Sequence, residues 1–185
     1  MALKATICKA ALRVANVDTH YYHDHALTLA RHPSETDERM MLRILAFALH
    51  ADDALQFGRG ISTDDEPDLW QKDLTGVIER WIDVGQPDEK LIRKACGRAR
   101  EVFIYSYGGH DAGKWWHRIG AGVARCENLT VHHVLPTTCK ALASLSGRNM
   151  ELQCTIQDGH AWMASDDVSF AVELVALKTA TAGIR

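Results

Sequence analysis

Alternating apolar and polar residues predict two β-strands in the first thirty positions of the chain. The segments 5–15 and 21–31 are rich in Val, Ile, Thr and Tyr, and a short polar turn separates them. A helix start follows, because Ser34 stands three residues before Asp37, a variant of the capping-box spacing. The pattern therefore predicts a β-hairpin and then a helix that runs to about His50.

The remainder of the chain alternates between predicted strands and helices. In chain order it predicts strands at 66–73 and 76–85, a helix from Pro87 to about Gly97, a strand at 101–107, a helix at 112–126, a strand at 129–135, a helix at 136–145 and a hairpin of 150–157 and 161–177. This order predicts an α/β (α+β) fold with a mixed central sheet flanked by helices. No repeat or linker interrupts the chain, so residues 1–185 are expected to form one domain.

Composition and charge narrow the class of protein further. At 185 residues the chain can bury a core that needs no disulfide or metal to hold it together. Its formal net charge of −3 provides no general attraction for nucleic acid, so such a contact has to come from a local basic patch. Five widely spaced cysteines predict reduced thiols, and no apolar run resembles a signal peptide or a membrane span. We therefore expect a cytoplasmic protein with no membrane contact.

One carboxylate, Glu38, falls on the apolar side of the predicted first helix. It precedes Met41, Leu42 and Leu45 by three, four and seven residues, and helical geometry places residues at these spacings on one side. A carboxylate in such a position is costly unless it is paired or bound to a metal. Glu38 is therefore either a support for a metal site or the partner of an arginine at the edge of the apolar stripe.

The second predicted hairpin carries further acids on one face. If residues 73–76 form its turn, Asp68 faces Trp81 across the strands, with Glu79 and Asp83 as its diagonal neighbours. Diagonal pairs lie roughly 7–8 Å apart, which is close enough for long side chains to converge. A slip of one residue would send Asp68 to the opposite face, so the cluster depends on this register.

Carboxylates that converge on one point repel each other, and such a cluster raises a pKa or attracts a hard cation. Mg²⁺ suits the predicted group of Asp68, Glu79 and Asp83, because it binds through one or two carboxylates and keeps several waters. A metal held in this way can position an attacking water at a phosphodiester. The alternative is a solvated acidic face on an edge hairpin, where the acids cost little.

Three runs of the sequence resemble the YaeQ family, and the likeness covers nearly the whole chain. They are Ala30-Arg-His-Pro-Ser-Glu-Thr-Asp-Glu-Arg-Met-Met-Leu42 with Phe47-Ala-Leu-His-Ala51, Ile61-Ser-Thr-Asp-Asp-Glu-Pro-Asp-Leu-Trp70, and Trp81-Ile-Asp-Val-Gly-Gln-Pro-Asp-Glu-Lys90. That family resembles the PD-(D/E)XK nuclease superfamily in fold, with a helix, a hairpin that carries the acids and a second helix. The resemblance implies a helix glutamate at Glu38, a first aspartate at Asp68 and later acids at Glu79 or Asp83.

The sequence departs from the nuclease pattern after its second acid, where that superfamily places x-Lys. Glu79 is followed by Arg-Trp and Asp83 by Val-Gly, so no lysine stands in either position. Lys72 on the facing strand and Gln86 beyond the second acid are the candidates to replace it. Without a cation near the attacking water, catalysis is expected to be weak or absent.

Two functions follow from these observations. The first is a Mg²⁺-dependent nuclease or phosphodiesterase that acts on DNA or RNA. Its candidate residues are Glu38, Asp68, Glu79, Asp83, Lys72 and Gln86, with the metal on Asp68, Glu79 and Asp83. The second is a catalytically inactive protein of the same fold that serves as a nucleic-acid-binding or transcription-associated adaptor, as the missing lysine suggests. The sequence defines neither the substrate nor the oligomeric state.

Basic and histidine-rich segments add weaker signals. The helix after Pro87 carries Lys90, Arg93, Lys94 and Arg98, which form either a phosphate-binding face or a solvated basic face. The neighbouring residues His132 and His133 alternate in direction along a predicted strand, and we expect them to serve structure.

Overall fold

The computed structural model describes residues 4–59 and 66–181. In chain order its elements are β1 (Thr6–Asn16), β2 (Tyr21–Arg31), α1 (Asp37–Leu49), β3 (Leu55–Phe57), β4 (Leu69–Lys72), β5 (Ile78–Val84), α2 (Glu89–Arg98), β6 (Ala99–Ser106), α3 (His110–Ile119), β7 (Leu129–Val134), α4 (Pro136–Ser144), β8 (Asn149–Gln157), β9 (His160–Ala164), β10 (Ser169–Val172) and β11 (Leu174–Lys178). The predicted mixed α+β fold is confirmed, but the strands form two mixed sheets instead of one.

Internal contacts divide the chain into two compact units. The first unit comprises Met1–Ala51 and Thr137–Glu173, and the second comprises Asp52–Pro136 and Leu174–Arg185. The chain thus passes from the first unit to the second and back, and then returns to the second. The expectation of one domain over residues 1–185 stays a prediction.

The first unit contains a five-stranded sheet in the order β10-β9-β8-β1-β2. β1 pairs with β2 in antiparallel and with β8 in parallel orientation, so the predicted N-terminal hairpin joins a strand from the far end of the chain. The predicted turn at Asp158 and Gly159 is confirmed, because both residues have the positive φ that a two-residue hairpin turn requires. Alternate β1 residues from Cys8 to Val14 supply apolar side chains to the core.

Helix α1 is buried on almost every side, from Met40 to Ala48, as expected of a helix that is apolar all round. Its N-cap is Thr36, whose hydroxyl accepts a hydrogen bond from the Arg39 N–H at 3.2 Å. The prediction of a capping box at Ser34 was therefore wrong. Ser34 forms a 2.6 Å hydrogen bond with the His32 ring instead.

The second unit contains a six-stranded sheet in the order β11-β7-β6-β5-β4-β3. Strands β5, β6 and β7 are parallel, and the outer strands are antiparallel to their neighbours. Helices α2 and α3 cover one face of this sheet and form an apolar core with it. That core contains Ile78, Trp81, Ile92, Ala95, Ala99, Val102, Ile104, Trp115, Ile119, Val123, Leu129 and Val131.

Some predicted elements differ from the observed ones in length or number. The short strand β3 was not predicted, and the predicted strand at 161–177 is divided into β9, β10 and β11. The predicted helix at 112–126 ends at Ile119. None of the described helices is both long and apolar enough to cross a membrane.

Candidate functional site

The β4–β5 hairpin places its acids in a register two residues away from the predicted one. Trp70 lies opposite Trp81, and continuing this pairing brings Asp68 opposite Asp83. Two single-residue insertions cause the shift. Gly76, with a positive φ of 87°, lengthens the turn by one residue, and Glu79 is the extra residue of a β-bulge. Each insertion alone would place Asp68 and Asp83 on opposite faces of the sheet. Together the two insertions keep these residues on one face.

Hydrogen bonds hold the two aspartates together at the end of the hairpin. The Asp68 carboxylate accepts the Val84 main-chain N–H at 2.8 Å, and the Asp68 N–H lies 3.4 Å from the Asp83 carboxylate. Asp83 also accepts the indole N–H of Trp81 at 2.8 Å. Asp68 is buried and Asp83 is half-buried. This acid pair, Asp68 and Asp83, therefore has fixed positions and few rotamers.

Aromatic and cationic side chains pack behind the acid pair. Trp70 and Trp81 meet edge to face, with ring centroids 6.3 Å apart. The Lys72 ammonium lies 3.5 Å from the Trp70 ring centroid, and the Arg98 guanidinium lies 5.3 Å from that of Trp81. Lys72 is four residues from Asp68 along β4, which is about 13 Å of strand. Lys72 therefore packs on an indole at the opposite end of β4 from the acids.

Glu79 does not complete a three-carboxylate cluster with the acid pair. Its half-buried carboxylate lies 3.2 Å from the guanidinium of the exposed Arg100. Among the described residues, Asp68, Glu79 and Asp83 do not form a group whose ligand atoms all lie within 4.8 Å. The bulge at Glu79 explains this separation, because it moves Glu79 out of the alternation that Trp81 and Asp83 follow.

Gln86 is held in the loop that follows the acid pair. Its side-chain amide donates to the Tyr107 carbonyl at 2.7 Å and crosses from the end of β5 to the end of β6. The same loop is fixed by Trp115, whose indole N–H donates to the Pro87 carbonyl at 2.8 Å. Gln86 thus belongs to a rigid rim at the carboxyl ends of the parallel strands.

Glu38 lies in the first unit, at the start of α1. It is half-buried and forms a hydrogen bond with the Cys139 thiol. Burial and the Glu38 charge raise the pKa of Cys139 to about 12. The residue that pairs with arginine in α1 is Glu35, which accepts Arg39 at 2.7 Å and the buried Arg43 at 3.0 Å. A role for Glu38 beside the acid pair stays a prediction.

A pair of polar residues, of which the sequence pointed only to His133, lies at the same edge of the sheet. Ser106 ends β6, is fully buried, and lies beside His133 in the parallel β6–β7 register. The Ser106 hydroxyl is 3.2 Å from Nδ1 of His133. Sequence reasoning placed His133 on a strand but could not identify its neighbour, because that depends on pairing between residues 27 positions apart.

The second unit is thus a mixed α/β layer with an acid pair at the carboxyl end of a parallel strand. A sequence model of the YaeQ protein family matches residues 1–174. The chain belongs to the YaeQ family.

Similar proteins cover nearly the whole chain. The uncharacterized protein YaeQ of Escherichia coli (strain K12) is 44% identical over 176 residues, which cover 95% of this chain and 97% of that protein. The crystal structure of the YaeQ protein from Xanthomonas axonopodis pv. citri has a TM-score of 0.89 at 47% identity and covers 94% of this chain and 98% of that chain. The YaeQ protein from Pseudomonas syringae has a TM-score of 0.91 at 31% identity, with 96% and 98% coverage.

Proposed function

We propose that the protein is a divalent-cation-dependent phosphodiesterase that acts on nucleic acid, with its site at Asp68 and Asp83. The observation that carries this proposal is the placement of these two carboxylates directly opposite each other at the end of the β4–β5 hairpin. The hairpin is followed by α2 and then β6, which supports the proposal because the resemblance implies a second helix after the hairpin that carries the acids.

The acid pair supplies a donor set that suits Mg²⁺. Mg²⁺ prefers oxygen ligands, and proteins hold it through one or two carboxylates while water fills the remaining positions. Asp68 and Asp83 would hold the ion, and Glu79 is left out of this set because of its ion pair with Arg100. When bound, the ion would neutralise charge on a phosphodiester and favour an attacking water.

The protein's own groups prepare the two carboxylates for this role. The Val84 N–H orients Asp68, and the Trp81 indole orients Asp83. Because Trp81 is itself buried in the core of the second unit, the position of Asp83 is fixed by packing. These contacts hold the two negatively charged carboxylates close together before a cation binds, so that cation binding requires no rearrangement of the side chains.

Gln86 is the better placed of the two candidates for the missing lysine. It lies three residues after Asp83 and is anchored to Tyr107, whereas Lys72 packs on Trp70 at the other end of β4. Gln86 lacks a positive charge, so its contribution is to orient a water or a phosphate oxygen. The proposal therefore expects slow turnover.

A nuclease assay with metal and acid-pair variants tests the proposal. We expect cleavage of single- or double-stranded DNA or RNA in Mg²⁺ or Mn²⁺ and none in EDTA. Asp83→Asn should reduce the rate at least 100-fold, because it removes a metal-binding charge at nearly constant volume. Asp111→Asn, an exposed residue of α3, is the matched control and should keep the wild-type rate. Equal rates in Asp83→Asn and the wild type would refute the metal site.

A second candidate is the inactive adaptor, a nuclease-fold protein that binds nucleic acid without cleaving it. It is favoured by the absence of a lysine after either acid and by the exposed basic residues of α2, which include Lys90 and Lys94. The five free thiols suit the cytoplasmic location expected for both candidates. Calorimetry distinguishes the two candidates. A phosphodiesterase should bind Mg²⁺ or Mn²⁺ and lose this binding in Asp83→Asn. An adaptor should bind nucleic acid but neither cation.

A further inference from the structure

Ser106 and His133 form a hydrogen-bonded pair at the carboxyl ends of two parallel strands. The Ser106 hydroxyl donates to the His132 carbonyl at 3.3 Å and lies 3.2 Å from Nδ1 of His133. Ser106 is fully buried, so no water competes for these bonds, whereas His133 is half-buried and retains contact with solvent.

The hydroxyl of Ser106 has two hydrogen-bond partners, the His132 carbonyl and Nδ1 of the His133 ring. A hydroxyl carries a single proton, and Ser106 gives it to the His132 carbonyl. For the bond between Ser106 and Nδ1 of His133 to form at the same time, its proton must come from the imidazole, so we assign the ring hydrogen to Nδ1. In the neutral ring this leaves Nε2 with its lone pair, ready to accept a proton.

The sheet register places His133 on the same face as the acid pair. Asp83 pairs with Ile104 on β6, Ile104 and Ser106 share a face, and Ser106 pairs with His133 on β7. Two strand spacings of about 4.8 Å and two residue rises of about 3.3 Å put the Cα atoms of Asp83 and His133 about 12 Å apart. A bound phosphate group and its attacking water would have to bridge this separation between the two side chains.

We propose that His133 is a catalytic residue of the phosphodiesterase reaction, and that Ser106 is the positioning residue that fixes its tautomer. The inference rests on the proposed function. Water adds its oxygen to phosphorus and gives one proton to Nε2 of His133. The phosphorus–oxygen ester bond breaks, the departing alkoxide takes a proton from solvent, and the products are a phosphomonoester and an alcohol. His133 thus accepts the proton of the attacking water at a site that lacks the lysine of the nuclease pattern.

Paired variants of His133 test the catalytic role. In His133→Asn the side-chain amide can still donate to Ser106 but has no basic nitrogen, so kcat should fall about 100- to 1,000-fold. The kcat of His133→Ala should fall by a similar factor. Added imidazole should restore part of this rate, which would not happen if His133 were only structural. His117→Asn on the exposed surface of α3 is the control and should keep the wild-type rate.

A readout that does not depend on activity tests the role of Ser106. In ¹⁵N-labelled protein the His133 ring should show the tautomer protonated at Nδ1, and Ser106→Ala should shift it toward the Nε2-protonated form. Ser106→Ala should also lower kcat about 10-fold with little change in KM. A wild-type ring protonated at Nε2 would overturn the assignment.

The outcomes separate this inference from the function on which it rests. If wild type cleaves and Asp83→Asn does not, but His133→Asn keeps its rate, the role of His133 is wrong and the proposed function stands. If wild type fails to cleave in both Mg²⁺ and Mn²⁺, the proposed function and the role of His133 are both overturned. Loss of activity in His133→Asn with rescue of His133→Ala by imidazole supports the inference.

Discussion

The main-chain N–H of Val84 donates to the carboxylate of Asp68 across the β4–β5 hairpin at 2.8 Å, where both residues are buried. Replacing Asp68 with alanine would leave this N–H without its acceptor. We expect Asp68→Ala to lower the free energy of unfolding by about 1–3 kcal/mol. Asp68→Asn keeps an acceptor oxygen and should cost less than about 1 kcal/mol while it removes metal-binding charge.

Urea unfolding of the two variants measures this difference. The exposed Asp111→Ala should change stability by less than about 0.5 kcal/mol. If Asp68→Ala and Asp68→Asn unfold at the same urea concentration, the bond to Val84 contributes nothing to stability. Comparing this result with the cleavage rates then separates the structural role of Asp68 from its proposed metal-binding role.

The capping residue of α1 can be tested against the one that the sequence suggested. Thr36 accepts the Arg39 N–H, whereas Ser34 bonds to His32 outside the helix. Thr36→Ala should therefore destabilise the protein by about 1 kcal/mol, because a helix N–H loses its partner. Ser34→Ala should change stability by less than about 0.5 kcal/mol. A larger loss in Ser34→Ala, measured by thermal or urea unfolding, would contradict the observed cap.

Local sequence signals predicted the turn of the β8–β9 hairpin and most elements but not the arrangement of strands. Strand β2 was predicted at its observed bounds, and the turn at Asp158 and Gly159 was found from residues that tolerate positive φ. The parallel pairing of β1 with β8 joins segments about 140 residues apart, which no local pattern encodes. The second sheet was therefore missed.

The candidate site shows the same division between local and long-range information. Alternation along β5 correctly placed Trp81 and Asp83 on one face. The bulge at Glu79 was not visible, so Glu79 was grouped with residues that it does not join. Ser106 and His133 meet only because β6 and β7 pair, and nothing in either segment indicates the other.

The buried ion pair between Glu35 and Arg43 should be costly to break from one side. The two side chains lie 3.0 Å apart and are only 1% and 2% exposed. Glu35→Gln would leave the Arg43 charge buried without its counter-charge, and we expect a loss of about 3–5 kcal/mol. The double variant Glu35→Leu/Arg43→Met removes both charges and should recover most of that loss. Urea unfolding of the single and double variants measures these changes in stability. If the loss in the double variant equals the sum of the losses in the single variants, the two residues are not coupled.

Acid sensitivity should depend on His132, whose ring stacks on the buried Tyr105 with centroids 5.7 Å apart. Burial lowers the pKa of His132 below its ordinary value near 6.5, and its Nδ1 has no hydrogen-bond partner among the described residues. Below about pH 6.5 the unfolded chain takes up a proton at this position that the folded chain resists. The stability that neutral His132 contributes is therefore present above about pH 6.5 and is lost as the pH falls through the lower, folded-state pKa.

The substitution His132→Phe keeps an aromatic ring against Tyr105 but cannot titrate. We expect the urea midpoint of the wild type to fall more steeply than that of His132→Phe between about pH 7 and about pH 5. The exposed His117→Phe serves as the control and should follow the wild-type slope. Parallel slopes for wild type and His132→Phe would show that acid destabilisation arises elsewhere. A flatter slope in His132→Phe would assign the acid destabilisation to His132. This residue lies on the face of β7 opposite His133, because adjacent residues on a strand point to opposite faces.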